Sequence, residues 1–223
     1  MIEFKEVSKN YGSVKALENV SFTIADGEFV FITGASGSGK TTILRLLMAE
    51  TMPSSGQVIV NGKDLVRLKS RDISQLRQKM GVIFQDFKLL AERTIAENIS
   101  VAMAVLSIPK QEWKSRMEGV LKMVGIASKA NLFPAQLSGG ELQRASLARA
   151  LVGNPEIVFA DEATGNLDWE RAEEIMAMLS KVHDNGKTVI IASHHKSLMK
   201  EMGGRIIEIK QGKIVSDKIY KKK

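Results

Sequence analysis

The stretch Gly34-Ala35-Ser36-Gly37-Ser38-Gly39-Lys40-Thr41 decides how this chain of 223 residues is read. It fits G-x-x-x-x-G-K-[S/T], the pattern of a phosphate-binding loop, and its flanks supply the context that such a match requires. Residues 28–33 (Glu-Phe-Val-Phe-Ile-Thr) are a short apolar run of the kind that makes a buried strand. Residues 42–48 (Thr-Ile-Leu-Arg-Leu-Leu-Met) place apolar side chains at helical spacing. Glycine takes positive φ without steric cost, so the backbone between them can curl and turn several N–H groups toward one anion. The start of the helix adds its dipole. Lys40 brings a mobile positive charge for β- and γ-phosphates, and the Thr41 hydroxyl can ligate Mg²⁺. A Gly/Ser-rich turn followed by a chance Lys-Thr explains the letters but not the strand and helix around them. The stretch reads as a nucleotide site.

Composition bounds the rest. The length suits one large α/β domain, or a domain with a subdomain, and can bury a full core. Hydrophobic residues at 44% and charged residues at 26% are ordinary for a globular protein. There is no cysteine, hence no disulfide and no thiolate metal site. Residues 1–7 lack the basic start and apolar segment of a signal peptide, and no run approaches the ~18 apolar residues of a membrane span, so the chain is expected to be soluble by itself. A net charge of +7 raises the question of nucleic acid or an anionic surface. The basic residues are scattered, however, apart from Lys218, Lys221, Lys222 and Lys223, and read as a solvated tail. With 5% aromatics there is no stacking platform, and no nucleic acid is expected.

Around the loop lies a small β-rich layer. Residues 2–7 alternate, residues 16–24 continue with Leu17, Val20, Phe22 and Ile24, and residues 57–60 run into Asn61-Gly62, a hairpin signal. Tyr11, between the first two strands, either stacks on a purine or packs as a strand-end aromatic. Residues 81–84 form another apolar strand that ends at Gln85, where a side chain at the sheet's carboxyl edge can bind a metal or a water. From Asp86 to about Asn131 the pattern turns helical. Pro109 suits a first turn, Trp113, Met117, Val120, Leu121 and Val124 mark a packing face, and Gly125 is placed to end the helix.

Three further segments carry chemistry. Leu137-Ser138-Gly139-Gly140-Glu141 precedes an amphipathic helix, as a second anion site that lacks its own Lys or as a plain cap by Ser138. Residues 156–162 are an apolar strand that delivers Asp161 and Glu162. Adjacent buried carboxylates are costly unless a metal or partner balances them. In phosphate-loop enzymes an Asp at such a strand end helps to hold Mg²⁺, and Glu162 is then placed to orient or deprotonate a water. Residues 187–192 are a further buried strand ending at Ser193-His194-His195, where His194 is a surface residue or a γ-phosphate sensor. Residues 205–215 close with a hairpin.

In this order the pieces resemble the ATP-binding subunits of ABC transporters, over nearly the whole chain from Tyr11 to the hairpin after His194. The resemblance implies an α/β fold: a P-loop NTPase, ABC-type nucleotide-binding domain spanning 1–223, with an N-terminal antiparallel β layer and a helical subdomain at about 86–150. It implies that Tyr11 stacks on adenine and that Gly34, Ser36, Gly37, Ser38, Gly39, Lys40, Thr41 and Thr42 hold ATP. Ser138, Gly139 and Gly140 become the family's signature turn. Thr41, Gln85 and Asp161 surround Mg²⁺, Glu162 is the catalytic base, Gln85 and His194 sense the γ-phosphate, and Asn166 to Asp168 form the D-loop. The family further implies a head-to-tail homodimer on ATP binding. It also implies an integral membrane subunit that keeps the chain at the cytoplasmic face of the plasma membrane.

Within the family, residues 84–90 and 93–98 are similar to the cell-division branch, with lipoprotein-release and macrolide-export subunits as alternatives. Ala163 stands where a Pro is usual, Leu142 where a Gln is common and His195 where an Asp commonly follows. A soluble ABC factor for translation or DNA work is disfavoured, because neither a second cassette nor a coiled-coil insert appears.

Overall fold

Two strand periodicities build two sheets. A computed structural model describes all residues except 166, 195–198, 200 and 221–223. The expectations placed on Asn166, His195 and the Lys221 to Lys223 tail therefore lie outside the described residues. The strands are β1 (Ile2–Tyr11), β2 (Val14–Ile24), β3 (Phe29–Thr33), β4 (Ser55–Val60), β5 (Lys63–Asp64), β6 (Met80–Ile83), β7 (Ile157–Asp161), β8 (Thr188–Ser193), β9 (Gly204–Lys210) and β10 (Lys213–Tyr220). The α-helices are α1 (Lys40–Leu47), α2 (Ser70–Gln78), α3 (Ile95–Val105), α4 (Lys110–Met123), α5 (Gly139–Leu151) and α6 (Trp169–Asp184).

The alternating strands form the expected antiparallel layer, in the order β2-β1-β4-β5. One face of β1, with Ile2, Phe4 and Val7, is buried, and Phe4 stacks on Phe22 with ring centroids 4.5 Å apart. Asn61 and Gly62 both take positive φ, 50° and 74°, as the tight β4–β5 hairpin demands.

The continuously apolar strands form the second sheet, ordered β10-β9-β3-β8-β7-β6. It is parallel from β9 to β6, with β10 antiparallel at its edge. Both faces are covered, which is why these strands carry no polar alternation. Val30 and Ile32 of β3 pack toward α1 and the antiparallel layer, while Phe31 packs toward α5 and α6. Each such side chain contributes roughly 1.5–3 kcal/mol by leaving water. Arg205 on β9 ties the two sheets together. It donates to the Thr23 carbonyl at 2.6 Å, to Glu28 at 3.0 Å, and to both oxygens of Asp217 at 2.7 and 2.6 Å. The bonds to Asp217 hold its pKa above the ordinary arginine value, against the opposing effect of burial.

Register positions the site. Thr33 pairs with Ser193 and Asp161 with Ala192, so β3, β7 and β8 end level with one another. The residues that follow them, Gly34, Glu162 and His194, emerge at one carboxyl edge, the usual ligand-binding edge of an open parallel sheet.

The helical region differs in detail from its expected extent. Helix begins only at Ile95, where Thr94 and Glu97 form a capping box, and not at Asp86. Residues 86–94 form a loop, and Pro109 caps α4 from just outside it. The Trp113 and Met117 stripe packs against the core, and the Trp113 indole N–H donates to the Ile108 carbonyl at 2.9 Å. Sequence reading gave no sign of α2, whose one buried side chain, Leu76, leaves no apolar stripe to detect.

Candidate nucleotide site

The loop between β3 and α1 is shaped by close approach. Gly39 has φ 116°, and a Cβ there would meet Leu17 Cδ2 at 2.7 Å and the Ala16 carbonyl at 2.8 Å. A Cβ on Gly34 would sit 2.2 Å from the Ile209 carbonyl and 2.5 Å from Ser38 Oγ. Only glycine fits either position. No side chain caps α1 at Gly39 and no acidic residue stands in its first turn, so its leading N–H groups stay available to an anion.

A cleft of about 580 Å³ opens here, walled by Ala35, Ser36, Gly37, Gly39, Lys40, Thr41, Thr42, Gln85, Glu162 and His194, with Val14, Lys15 and Ala16 of β2 on one side. Gly34 and Ser38 shape the loop from behind, and the buried Ser38 Oγ finds no partner among the described residues. Tyr11 is not part of the wall. Its ring, 39% exposed, lies under Lys9 Nζ, 4.9 Å from the centroid.

Lys40 is buried at 6% exposure and donates to the Gly34 and Ala35 carbonyls at 2.8 and 3.2 Å. It also pairs with Glu162 Oε1 at 3.2 Å. The other Glu162 oxygen accepts from His194 Nδ1 at 2.7 Å. A carboxylate only accepts, so Nδ1 carries the proton. Glu162 sits at φ 50°, a left-handed turn straight after β7, and its N–H is held by the Ala192 carbonyl at 2.8 Å. This strained exit swings the carboxylate from strand direction back across the cleft to Lys40.

Asp161 faces a neighbouring cavity of about 770 Å³ that shares Thr41 and Gln85 with the cleft. One of its oxygens, Oδ1, is buried without a partner among the described residues. Burial raises the carboxyl pKa, and the charge of Glu162 raises it further, against Thr41, Lys40 and Arg45. An orphaned carboxylate oxygen beside a threonine hydroxyl and a glutamine amide is a set of hard oxygen donors that fits Mg²⁺. That ion takes one or two carboxylates and completes its shell with water and phosphate oxygens.

The second glycine-rich turn stands apart. Ser138 and Gly140 line a separate pocket of about 270 Å³ with Glu141, Arg144 and Arg171. Ser138 caps α5 as its spacing to Glu141 predicts: the Glu141 N–H donates to Ser138 Oγ at 3.4 Å, and Ser138 Oγ donates to Glu141 Oε2 at 2.8 Å. The backbone N–H of Ser138 donates to the same carboxylate at 2.8 Å and is the leading cause of its lowered pKa. Gly139 is exposed at the first position of the helix. The sheet edge thus gathers Gly34, Lys40, Thr41, Gln85, Asp161, Glu162 and His194, and does not gather Tyr11 or Ser138 to Gly140. Lys15 and Val14, which sequence reasoning passed over, do line the cleft. Their signal is their place in the β1–β2 hairpin that also holds Tyr11.

Comparison with known proteins identifies the family. The ABC transporter family profile matches residues 17–165. The cell division ATP-binding protein FtsE of Bacillus subtilis is 46% identical over 218 residues, 97% of this chain and 96% of that protein. The methionine import ATP-binding protein MetN of Geobacillus kaustophilus is 38% identical over 220 residues, 96% of this chain and 64% of that protein. A dimeric post-hydrolysis structure of the ATP-binding cassette MJ0796, bound to ADP and Pi, superposes with a TM-score of 0.89 at 34% identity, covering 99% of both chains. With the phosphate loop, the paired carboxylates and the glycine-rich helix start in their places, the chain belongs to the ABC transporter family as one of its ATP-binding cassettes.

Proposed function

We propose that this cassette is the ATP-hydrolysing subunit of an FtsEX-type complex, driving an FtsX-like permease in cell division and in the regulation of cell-wall hydrolases. The observation that carries the reading is the 46% identity to FtsE over essentially the full length of both chains. Among the described residues no helix is long and apolar enough to cross a membrane. The chain would therefore reach the cytoplasmic face of the membrane peripherally, through that permease. Residues 1–223 act as one nucleotide-binding domain, with the helical subdomain at about 86–150.

The geometry of the cleft supports the following roles. Phosphoryl transfer demands mainly positioning and charge stabilisation. Gly34, Ser36, Gly37, Ser38 and Gly39 shape the loop, while its N–H groups, Lys40 and Thr42 hold the phosphates. Tyr11 closes on the base from the β1–β2 hairpin. Asp161, Thr41 and Gln85 would hold Mg²⁺, which supplies neutralising charge for the phosphates when bound. Incoming phosphates replace Glu162 as the counter-charge of Lys40, and the released carboxylate orients and polarises the attacking water. Gln85 and His194 register the γ-phosphate. The Ser138, Gly139 and Gly140 turn has no Lys and lies in its own pocket, which suits completion of a partner copy's site in a head-to-tail dimer.

Two measurements test this. Tagged protein taken from detergent-solubilised membranes is expected to retain an FtsX-like four-span permease, identified by mass spectrometry. A lipoprotein-release or efflux permease in its place would move the chain to export. Glu162→Gln is expected to bind ATP, hydrolyse it at least about 100-fold more slowly, and accumulate as an ATP-bound dimer by size-exclusion chromatography. Hydrolysis at the normal rate would remove the role of Glu162.

A further inference from the structure

Gln85 leaves β6 on a loop held both by its own turns, with the Phe87 N–H on the Phe84 carbonyl at 3.2 Å and the Lys88 N–H on the Asp86 carbonyl at 2.6 Å, and from outside. Phe87 at φ 60° and Lys88 at φ 52° follow it in the left-handed region, two successive residues that are not glycine. An L side chain crowds its own backbone there, so such a pair persists only where the surroundings over-determine it. Three donors do so, all from α5. Ser146 Oγ donates to the Phe87 carbonyl at 3.2 Å, and Arg149 donates from Nη2 to the same carbonyl at 2.8 Å and from Nη1 to the Lys88 carbonyl at 2.5 Å. Ser146 is fully buried, and burial alone lowers the Arg149 pKa. Among the described residues no carboxylate pairs with Arg149, so the two carbonyls are what its guanidinium serves. The planar fork suits two adjacent acceptors, which a lysine ammonium would not span.

The far end of the loop is held as firmly. Buried Asn98 on α3 accepts from the Leu90 N–H at 2.7 Å and donates to the carbonyls of Leu90, Arg93 and Thr94 at 3.1, 3.1 and 3.0 Å. Both ends of the segment from Phe87 to Thr94 are thereby fastened, to α5 and α3, and Gln85 lies between this segment and the end of β6.

We propose that Arg149, assisted by Ser146, is a positioning residue for Gln85. Its grip on the Phe87 and Lys88 carbonyls fixes where the glutamine enters the cleft, and it ties that glutamine to the helix carrying the Ser138 to Gly140 turn. Along α5 the two ends of this tie are about 16 Å apart at 1.5 Å per residue. A displacement at the glycine-rich end is thus delivered to the cleft of the same chain by a rigid element. The proposal rests on the reading of Gln85 as a γ-phosphate-contacting residue.

A double-mutant cycle in the full chain tests it, with ATP affinity, steady-state hydrolysis and thermal unfolding measured for Gln85→Ala, Arg149→Ala and the double variant. Arg149→Ala is expected to lower kcat about tenfold while ATP affinity stays within about twofold, and the double variant to be no slower than Gln85→Ala alone. Arg149→Lys should fall between wild type and Arg149→Ala. If Arg149→Ala does not fold, Arg149→Lys and Ser146→Ala replace it in the same cycle. Losses that multiply, to about a hundredfold in the double variant, would overturn the proposal and leave the role of Gln85 standing. Gln85→Ala at the wild-type kcat would remove the role of Gln85, and this proposal with it.

Discussion

Asp161→Asn should make the nucleotide-free protein more stable and the nucleotide-bound protein less so. The wild-type carboxylate has an oxygen buried without a partner and stands next to Glu162, and both burial and that neighbouring charge raise its pKa. Leaving a buried polar atom unsatisfied costs roughly 1–3 kcal/mol and more when it is charged, and the isosteric amide relieves only the charge-dependent part. The residue is only partly buried and water screens its charge, so the gain from neutralising it belongs near about 1 kcal/mol. For a chain of this size that corresponds to a rise in Tm of about 2–4 °C.

The pH dependence has a definite sign. A carboxyl whose pKa is raised by folding stays protonated in the native state where the unfolded chain has already released its proton. Stability therefore falls as pH rises through that window. The advantage of Asp161→Asn should vanish at acid pH, below the ordinary aspartate range, and be fully present at neutral pH. Adding Mg²⁺ and ATP should reverse the order, because the wild type gains a ligand contact that the variant lacks. Thermal unfolding followed by circular dichroism, with and without Mg²⁺ and ATP, measures all of this. A variant melting at or below wild type at neutral pH without nucleotide would refute the reasoning, as would a gap that does not change with pH.

Lys40→Ala removes the buried cation proposed to hold the phosphates and should weaken ATP binding by about 10- to 150-fold, at roughly 1.5–3 kcal/mol for a charged hydrogen bond. Calorimetric titration checks it, and undiminished affinity would count against the phosphate role. Asn98→Ala strands the Leu90 N–H and the Arg93 carbonyl, because the Thr94 and Leu90 carbonyls keep backbone donors at 2.9 and 3.2 Å, and should cost roughly 2–4 kcal/mol in urea unfolding. A loss below about 0.5 kcal/mol would mean that water replaces the amide without penalty.

Much of the site could be read from the letters because its parts are local. Strand, loop and helix around Lys40 occupy some twenty consecutive residues, and Asp161, Glu162 and His194 each follow directly on an apolar strand. The Ser138–Glu141 cap is likewise a contact between near neighbours. What escaped reading is held from a distance. The helical pattern seen from Asp86 onward yields to a loop because Ser146 and Arg149, 59 to 62 residues further along, pin Phe87 and Lys88 in a left-handed form. No local preference of those two residues announces it. The part played by Val14 and Lys15 in the cleft depends on how one hairpin leans over the loop, which alternation along β2 does not encode.

The place of β3 in its sheet has a consequence for biosynthesis. The strand that feeds the phosphate loop lies between β8 and β9, and the loop itself is buttressed when the Gly212 N–H donates to the Ser38 carbonyl at 3.0 Å. When Thr41 leaves the ribosome, none of these supports has been made. At about 5–20 residues per second, roughly 9–34 s pass before Gly212 follows. Until β8 and β9 follow, the nascent chain carries the complete motif but no cradle, with Phe-Val-Phe-Ile exposed as an unpaired apolar edge. Competence to bind ATP is thus acquired late in synthesis, and until then this segment is a natural client for a chaperone.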